Sequence, residues 1–187
     1  MSVQLLRRKF TVEQYHKMLE SGILTENDRV ELIAGEIVEM SPIGTRHAAC
    51  VARLIRLFML TLADTVIIWV QNPIKLNDNS EPQPDVVLLQ PRDDFYESGH
   101  PQPSDIFLLI EVADTTINYD REVKIPLYAK DNIIEVWLVD INEQSVEVYR
   151  EPTSDGYRNI QQFSSGQTLS IQAFPEINIT VNEVLGL

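Results

Sequence analysis

Two carboxylates on strand-like runs are the residues of this sequence whose types and positions could do chemistry. Asp85 follows Pro84 and heads the apolar run 86–89, and Glu111 lies near the end of the apolar run 106–112. A charge in a buried strand is costly unless it meets a cation, a metal ion or a proton. Two such acids, with a backbone carbonyl, make an oxygen site suited to Mg²⁺ or Mn²⁺. The alternative is structural: Asp85 caps a loop and Glu111 pairs with an arginine.

The segment after these strands offers a cation. Lys124 lies four residues after Asp120 and four residues before Tyr128. Residues at this spacing share one face of a helix. On this motif alone, an ordinary exposed ion pair between Asp120 and Lys124 is the favoured interpretation.

A histidine and three arginines belong to one predicted helix. His47 shares a stripe with Val51 and Leu54 and so points inward, where a core or capping role is the alternative to a ligand role. A different face carries a basic stripe, which is usually only solvated but could also hold phosphates. The stripe consists of Arg46, Arg53 and Arg56.

Periodicity and turn residues predict the elements that must position these side chains. Helices are predicted over 11–20, 46–63 and 121–131, with a last helical turn at 181–185. Strands are predicted over 29–33, 36–40, 66–71, 85–90, 106–112, 133–141, 145–150, 157–163 and 169–171. Strands mixed with helices that cover the faces of a sheet predict an α/β or α+β domain.

Composition and charge restrict the class of protein. The chain has 187 residues, of which 44% are hydrophobic and 23% charged, and one cysteine, as expected of a single globular domain without an internal disulfide. No apolar run approaches the roughly 18 residues that span a bilayer, and no secretory signal is recognised, so we expect a cytoplasmic protein with no membrane partner. The net charge of −13 weighs against general coating of nucleic acid but leaves room for a basic cleft or a metal site.

Several of these segments occur in the same order in a bacterial family. The chain resembles the Uma-type endonucleases of the restriction-endonuclease-like PD-(D/E)xK superfamily over roughly residues 10 to 175. The segments that carry the resemblance are 31–42 (ELIAGEIVEMSP), Gly44, His47, 83–87 (QPDVV), 110–112 (IEV), 120–124 (DREVK) and 135–140 (EVWLVD).

The resemblance implies a mixed central sheet flanked by helices, with a divalent-metal site at one edge. Asp85 matches the aspartate of the first half-motif, Glu111 matches the acid of the second, and the Val112 carbonyl becomes a third metal ligand. The superfamily usually places a lysine two residues after that acid. Here this position is Ala113, and Lys124 on the following helix is the matching lysine.

Further residues acquire roles through the same resemblance. His47 matches a recurrent histidine that would touch a phosphate or the hydration shell of the metal. Asp120 and Tyr128 would fix Lys124, and Glu36 lies in a recurrent acidic hairpin. The restriction-endonuclease-like domain would span 1–187, with an N-terminal helix at 11–20, a core at about 29–150 and C-terminal strands within 157–187.

The function implied is cleavage of DNA by a Mg²⁺- or Mn²⁺-dependent endonuclease. Two other classes stay open: a binding module that has kept the sheet but lost turnover, and a metal-dependent hydrolase of a small anionic substrate. The resemblance is also compatible with a homodimer, because enzymes of this superfamily often pair and the C-terminal strands offer edges.

Overall fold

The computed structural model describes residues 7–25 and 27–187, so the domain predicted over 1–187 includes residues 1–6 and 26 that lie outside the description. The helices are α1 (Val12–Glu20), α2 (Thr45–Thr61), α3 (Ile117–Tyr119), α4 (Ile125–Lys130) and α5 (Val181–Leu185). The strands are β1 (Val30–Ile33), β2 (Glu36–Glu39), β3 (Ile67–Val70), β4 (Val86–Leu89), β5 (Ile106–Ala113), β6 (Glu135–Asp140), β7 (Ser145–Thr153), β8 (Gly156–Ser164), β9 (Thr168–Ile171) and β10 (Phe174–Thr180).

A six-stranded mixed sheet in the order β3-β4-β5-β6-β7-β8 forms the centre of the structure. Adjacent strands of this sheet are antiparallel except β5 and β6, which are parallel and are joined by the crossover that contains α3 and α4. The hairpins β1-β2 and β9-β10 form separate two-stranded sheets. This is the α+β arrangement that the sequence predicts.

Both faces of the central sheet are buried, and alternate residues of each strand serve different faces. Val112 and Trp137 face a core that α2, α5 and the β9-β10 hairpin complete. Leu109 and Ala113 face the core on the side of α4. Since Glu111 lies between the latter two with the same parity, its side chain points toward the α3–α4 crossover.

The β1-β2 hairpin is closed by two residues with left-handed backbone. Ala34 has φ 48° and Gly35 has φ 79°, the pattern of the tight turns that suit the twist of a hairpin. A side chain at Gly35 would lie 2.7 Å from Cβ of Lys9, so a larger residue would clash as well as strain the turn.

The helix predicted over 121–131 is not regular. Asp120–Lys124 form a π turn between α3 and α4, in which the Ile125 N–H reaches back five residues to the Asp120 carbonyl. Pro126 follows in the first turn of α4. A proline ring clashes with the carbonyl four residues before it in an α-helix, and the widened turn relieves that crowding. Such single turns are frequent at functional sites.

Two further features complete the description. The sequence predicts no strand at Phe174–Thr180, which the structure shows as β10. Pro175 interrupts the apolar periodicity there, and the register of β10 beside β9 is irregular. Among residues 7–25 and 27–187, no helix combines the length and apolarity required to cross a bilayer.

Glu135 is a buried acid with a purely structural set of partners. Its Oε1 accepts from Arg150, at 2.7 Å, and from the Trp137 indole, at 2.8 Å. Its Oε2 accepts from the backbone N–H of Gln172, at 2.6 Å, between β9 and β10. The carboxylate thus ties the central sheet to the C-terminal hairpin.

We predict that Glu135→Ala lowers the free energy of unfolding by about 3–5 kcal/mol, because it leaves the partly buried Arg150 without its counter-charge. Urea denaturation measures this loss. Glu143→Ala, in the exposed β6-β7 turn, is the matched control and should change stability by no more than about 0.5 kcal/mol. Equal effects of the two substitutions would contradict the assigned role of Glu135.

Candidate active site

The register of the central sheet brings the two predicted acids together. β4 and β5 are antiparallel, and their last paired residues are Val86 and Ile110. The next opposing positions would be Asp85 and Glu111. Residues opposite each other in an antiparallel pair lie on the same face, so both carboxylates emerge where the ladder ends.

At this end the structure contains a cavity of about 920 Å³. Its walls come from α1, the β1-β2 hairpin, the start of α2, the segment before β4, and the end of β5 with the crossover that follows. The buried or partly buried ionisable groups on its wall include Glu31, His47, Asp85, Glu111, Asp120 and Lys124.

Asp85 is held by three donors. Its Oδ2 accepts from the Val112 backbone N–H, at 2.9 Å, and from His47 Nε2, at 3.0 Å. Its Oδ1 accepts from the Gln71 amide, at 3.2 Å. The hydrogen bond to Asp85 raises the pKa of His47 against the opposing effect of burial, with smaller contributions from Asp85 charge and nearby acids. This contact therefore favours the protonated form of His47 beside the carboxylate.

The Val112 carbonyl faces the same space. In a strand, the N–H and C=O of one residue point to the same neighbour, and the N–H of Val112 points at Asp85. The carbonyl is thus directed toward the gap that opens between β4 and β5.

Lys124 lies between two buried carboxylates. Its Nζ is 3.2 Å from Glu111 Oε1 and 3.2 Å from Glu31 Oε1, and its side chain is 7% exposed. Burial alone would lower the pKa of this lysine, but the charges of Glu111, Glu31 and Asp120 outweigh it and raise the pKa above the usual value. The lysine is therefore a fixed cation. The exposed pair with Asp120 that the motif alone favours is not what forms.

Glu111 has a second donor on the same oxygen. The Tyr128 hydroxyl donates to Glu111 Oε1 at 2.5 Å. Burial raises the pKa of Glu111 above its usual value and the neighbouring acids Asp120 and Asp85 add to this rise, whereas the ammonium of Lys124 opposes it. Both hydrogen bonds use Oε1, and none from the described residues goes to Oε2.

Asp120 is the fourth acid of the group. Its Oδ2 accepts from the Thr116 hydroxyl at 2.6 Å, and burial raises its pKa despite that hydrogen bond. The carboxylates around Lys124 and His47 therefore outnumber the cations that neutralise them. A hard divalent cation fits this set, because carboxylate and carbonyl oxygens are its preferred ligands.

The sequence reasoning did not assign Glu31 a role. This residue lies in β1 with every neighbour of the strand buried, and it is 2% exposed. Its Oε1 meets Lys124, and its Oε2 accepts from the backbone N–H of Gln83, at 3.1 Å. The signal was available: an acid within the apolar run 30–33 is the same pattern that drew attention to Glu111.

Two predicted groups lie outside the cavity wall. Glu36, at the start of β2, is absent from the cavity wall, and Lys9 donates to its carboxylate at 2.8 Å. Arg46 donates to Asp114, Asn142 and the Ile141 carbonyl.

The rest of the predicted basic stripe is also separate from the cavity. Arg53 packs beside Gly186 at the C-terminal helix, and Arg56 is exposed on α2. The arginine on the cavity wall is instead Arg29, which directly precedes β1. A stripe on one helix face shows that cations are adjacent, but it does not show which surface they border.

Comparison with known proteins agrees with this architecture. A crystal structure of a putative nuclease belonging to DUF820 from Anabaena variabilis is similar to the chain, with a TM-score of 0.74 at 17% sequence identity; the match covers 95% of this chain and 98% of that one. No curated protein matches the sequence significantly. The model of the family Uma2, described as putative restriction endonuclease, matches residues 12–182. The chain therefore belongs to this restriction-endonuclease-like family.

Proposed function

We propose that the protein is a Mg²⁺- or Mn²⁺-dependent phosphodiesterase that cleaves DNA, with the lysine of the PD-(D/E)xK site supplied by a helix. The observation that carries the proposal is the convergence of Asp85, Glu111 and Lys124 on one cavity wall. A structural role would require only that each acid be neutralised. Here an excess of buried acids surrounds a single lysine, and that excess suits a divalent cation.

Asp85, Glu111 and the Val112 carbonyl would hold the ion. When bound, it supplies polarisation of the scissile phosphate and a lowered pKa for the attacking water. Asp85 remains oriented for this task by His47 and by the Val112 N–H. Glu111 is oriented by Tyr128 through Oε1, and its Oε2, which receives no hydrogen bond from the described residues, would be available to the ion.

Lys124 would place a fixed positive charge beside the reacting phosphate. An ammonium held in a site that excludes water stabilises developing negative charge more strongly than it would in solution. Glu31 keeps the ammonium in place on one side, and so the lysine does not depend on Glu111 alone for its position. Asp120 adds a further attraction that keeps it charged.

DNA is the proposed substrate because the family is described as a restriction endonuclease family, and restriction endonucleases cleave DNA. Arg29 on the cavity wall supports recognition of an anionic substrate. A second candidate is a nucleic-acid-binding module without turnover, which is favoured by the full engagement of Lys124 by Glu31 and Glu111.

We predict that Mg²⁺ or Mn²⁺ stabilises the folded protein, because the ligand binds a site that exists only in the folded state. At ten times the Kd the gain is about 1.4 kcal/mol, or roughly 3–6 °C in melting temperature. Asp85→Asn should abolish the shift, whereas Asp155→Asn in an exposed turn should preserve it. Differential scanning calorimetry makes the comparison; melting that is indifferent to both ions would contradict the metal site.

We predict that Lys124→Ala reduces the rate of plasmid cleavage by at least about 10²–10³-fold, as does loss of a single group that stabilises transition-state charge. Binding of Mn²⁺ should persist, since Asp85 and Glu111 hold the ion. The same measurements on the exposed Lys130→Ala, from α4, should match the wild type.

Because removal of Lys124 leaves Glu31 and Glu111 without their shared cation, the variant will also be less stable. Cleavage must therefore be measured at a temperature where circular dichroism shows a folded chain. Wild-type cleavage by Lys124→Ala would refute the proposed mechanism. Metal and DNA binding by a wild-type protein that cleaves neither plasmid nor single-stranded DNA would support the binding module instead.

A further inference from the structure

A second group of metal-type ligands lies on the wall of the same cavity. It comprises His16 from α1, Glu81 from the segment before β4, and His100 from the long loop between β4 and β5. One ligand atom from each lies within 4.8 Å of the other two. None of the three is assigned a role in the proposed phosphodiesterase chemistry.

Glu81 is the residue of this group that most clearly indicates a bound cation. The residue is 3% exposed, and its Oε1 meets His16 Nε2 at 2.8 Å. Its Oε2 is buried and has no hydrogen-bond partner among the residues that the structure describes. A buried carboxylate oxygen without a donor is costly, and a cation between Glu81 and the imidazoles would remove that cost.

The backbone that carries these ligands is held in place. The Glu81 N–H donates to the Leu32 carbonyl at 2.8 Å, which joins the segment to β1. Tyr15 directly precedes His16 in α1, and its hydroxyl donates to the Val30 carbonyl at 3.1 Å. Two of the three ligands are thus positioned before any ion binds, which reduces the ordering cost of binding.

His100 is the adjustable member of the group. Its side chain is exposed, and its ring lies edge-on to that of His16 with 6.2 Å between the centroids. Bonds from zinc to histidine nitrogen are about 2.0–2.1 Å, which puts tetrahedral ligand atoms about 3.4 Å apart. Ligand atoms that lie within 4.8 Å of one another must therefore approach by up to about 1.4 Å. Rotation of an exposed side chain supplies that movement without disturbing the core.

We propose that His16, Glu81 and His100 form a second metal site that binds a divalent transition ion of the zinc class. Two imidazoles with one carboxylate are a donor set that zinc uses, with the fourth position left for water or substrate. Mg²⁺ prefers oxygen ligands throughout, so the two sites on this cavity select different ions. Cys50 does not compete for zinc, because it is buried on α2 and burial raises the pKa of its thiol to about 12.

The small number of histidines allows each imidazole to be followed separately. The chain has three histidines, and the remaining one, His47, is hydrogen-bonded to Asp85. In a titration of the metal-free full-length protein with Zn²⁺, followed by ¹H–¹⁵N correlation of the imidazole nitrogens, the resonances of His16 and His100 should shift at less than one equivalent while those of His47 stay unchanged. Millimolar Mg²⁺ should not reproduce the shifts of His16 and His100.

Variants separate this site from the proposed catalytic one. His100→Ala, on an exposed loop, and Glu81→Gln, nearly isosteric, should each weaken Zn²⁺ binding by about tenfold or more in calorimetry, in line with losses of around 10–100-fold for supporting residues of metal sites. Asp85→Asn should bind Zn²⁺ through His16 and His100 as the wild type does.

The proposal is overturned if His47 responds first to Zn²⁺, if His100→Ala binds Zn²⁺ as tightly as the wild type, or if no binding occurs below millimolar Zn²⁺. These readouts do not depend on nuclease activity. An inactive protein with intact Zn²⁺ binding would refute the proposed function alone, and an active protein without Zn²⁺ binding would refute the second site alone.

Discussion

The contact of one buried ammonium with two buried carboxylates is the constraint on which the rest of the site depends. Lys124 lies 3.2 Å from both Glu31 and Glu111, and all three side chains are at most 7% exposed. Any one of these charges buried alone would be prohibitively costly, whereas removing one partner of a buried pair costs about 3–5 kcal/mol. The β1-β2 hairpin, the central sheet and the α3–α4 crossover must therefore dock together for the charges to be satisfied.

Local structure follows from that requirement. The π turn at Asp120–Lys124 widens the crossover ahead of Pro126 and carries the lysine to the sheet. Ala113, two residues beyond Glu111 on the same face, is fully buried on the side of α4. In the proposed site the lysine therefore comes from the α3–α4 crossover rather than from the strand, and Glu31 is an additional anchor for it.

Much of this arrangement could be predicted from the sequence, and the limits have physical causes. The apolar runs place Asp85 and Glu111 near the ends of two strands. Because side chains of a strand alternate between the two faces of the sheet, few other positions are open to these acids. The apolar run 30–33 marks Glu31 as a buried acid, but its pairing with Lys124 could not be reached from periodicity, since it depends on how the β1-β2 hairpin docks against the α3–α4 crossover. The arginine stripe on α2 shows the same limit. Arg46 donates to Asp114, after β5, and to Asn142, in the β6-β7 turn, and no local pattern encodes those contacts.

The most direct test of the central claim is a crystal structure of the full chain with Mn²⁺, using anomalous scattering to locate the ion. The account predicts a peak about 2.1 Å from carboxylate oxygens of Asp85 and Glu111, with the Lys124 ammonium still within hydrogen-bond distance of Glu31. Saturating Mn²⁺ that leaves no anomalous peak between these two acids would contradict it, as would an ion that binds there only after Lys124 has left Glu31 and turned to solvent.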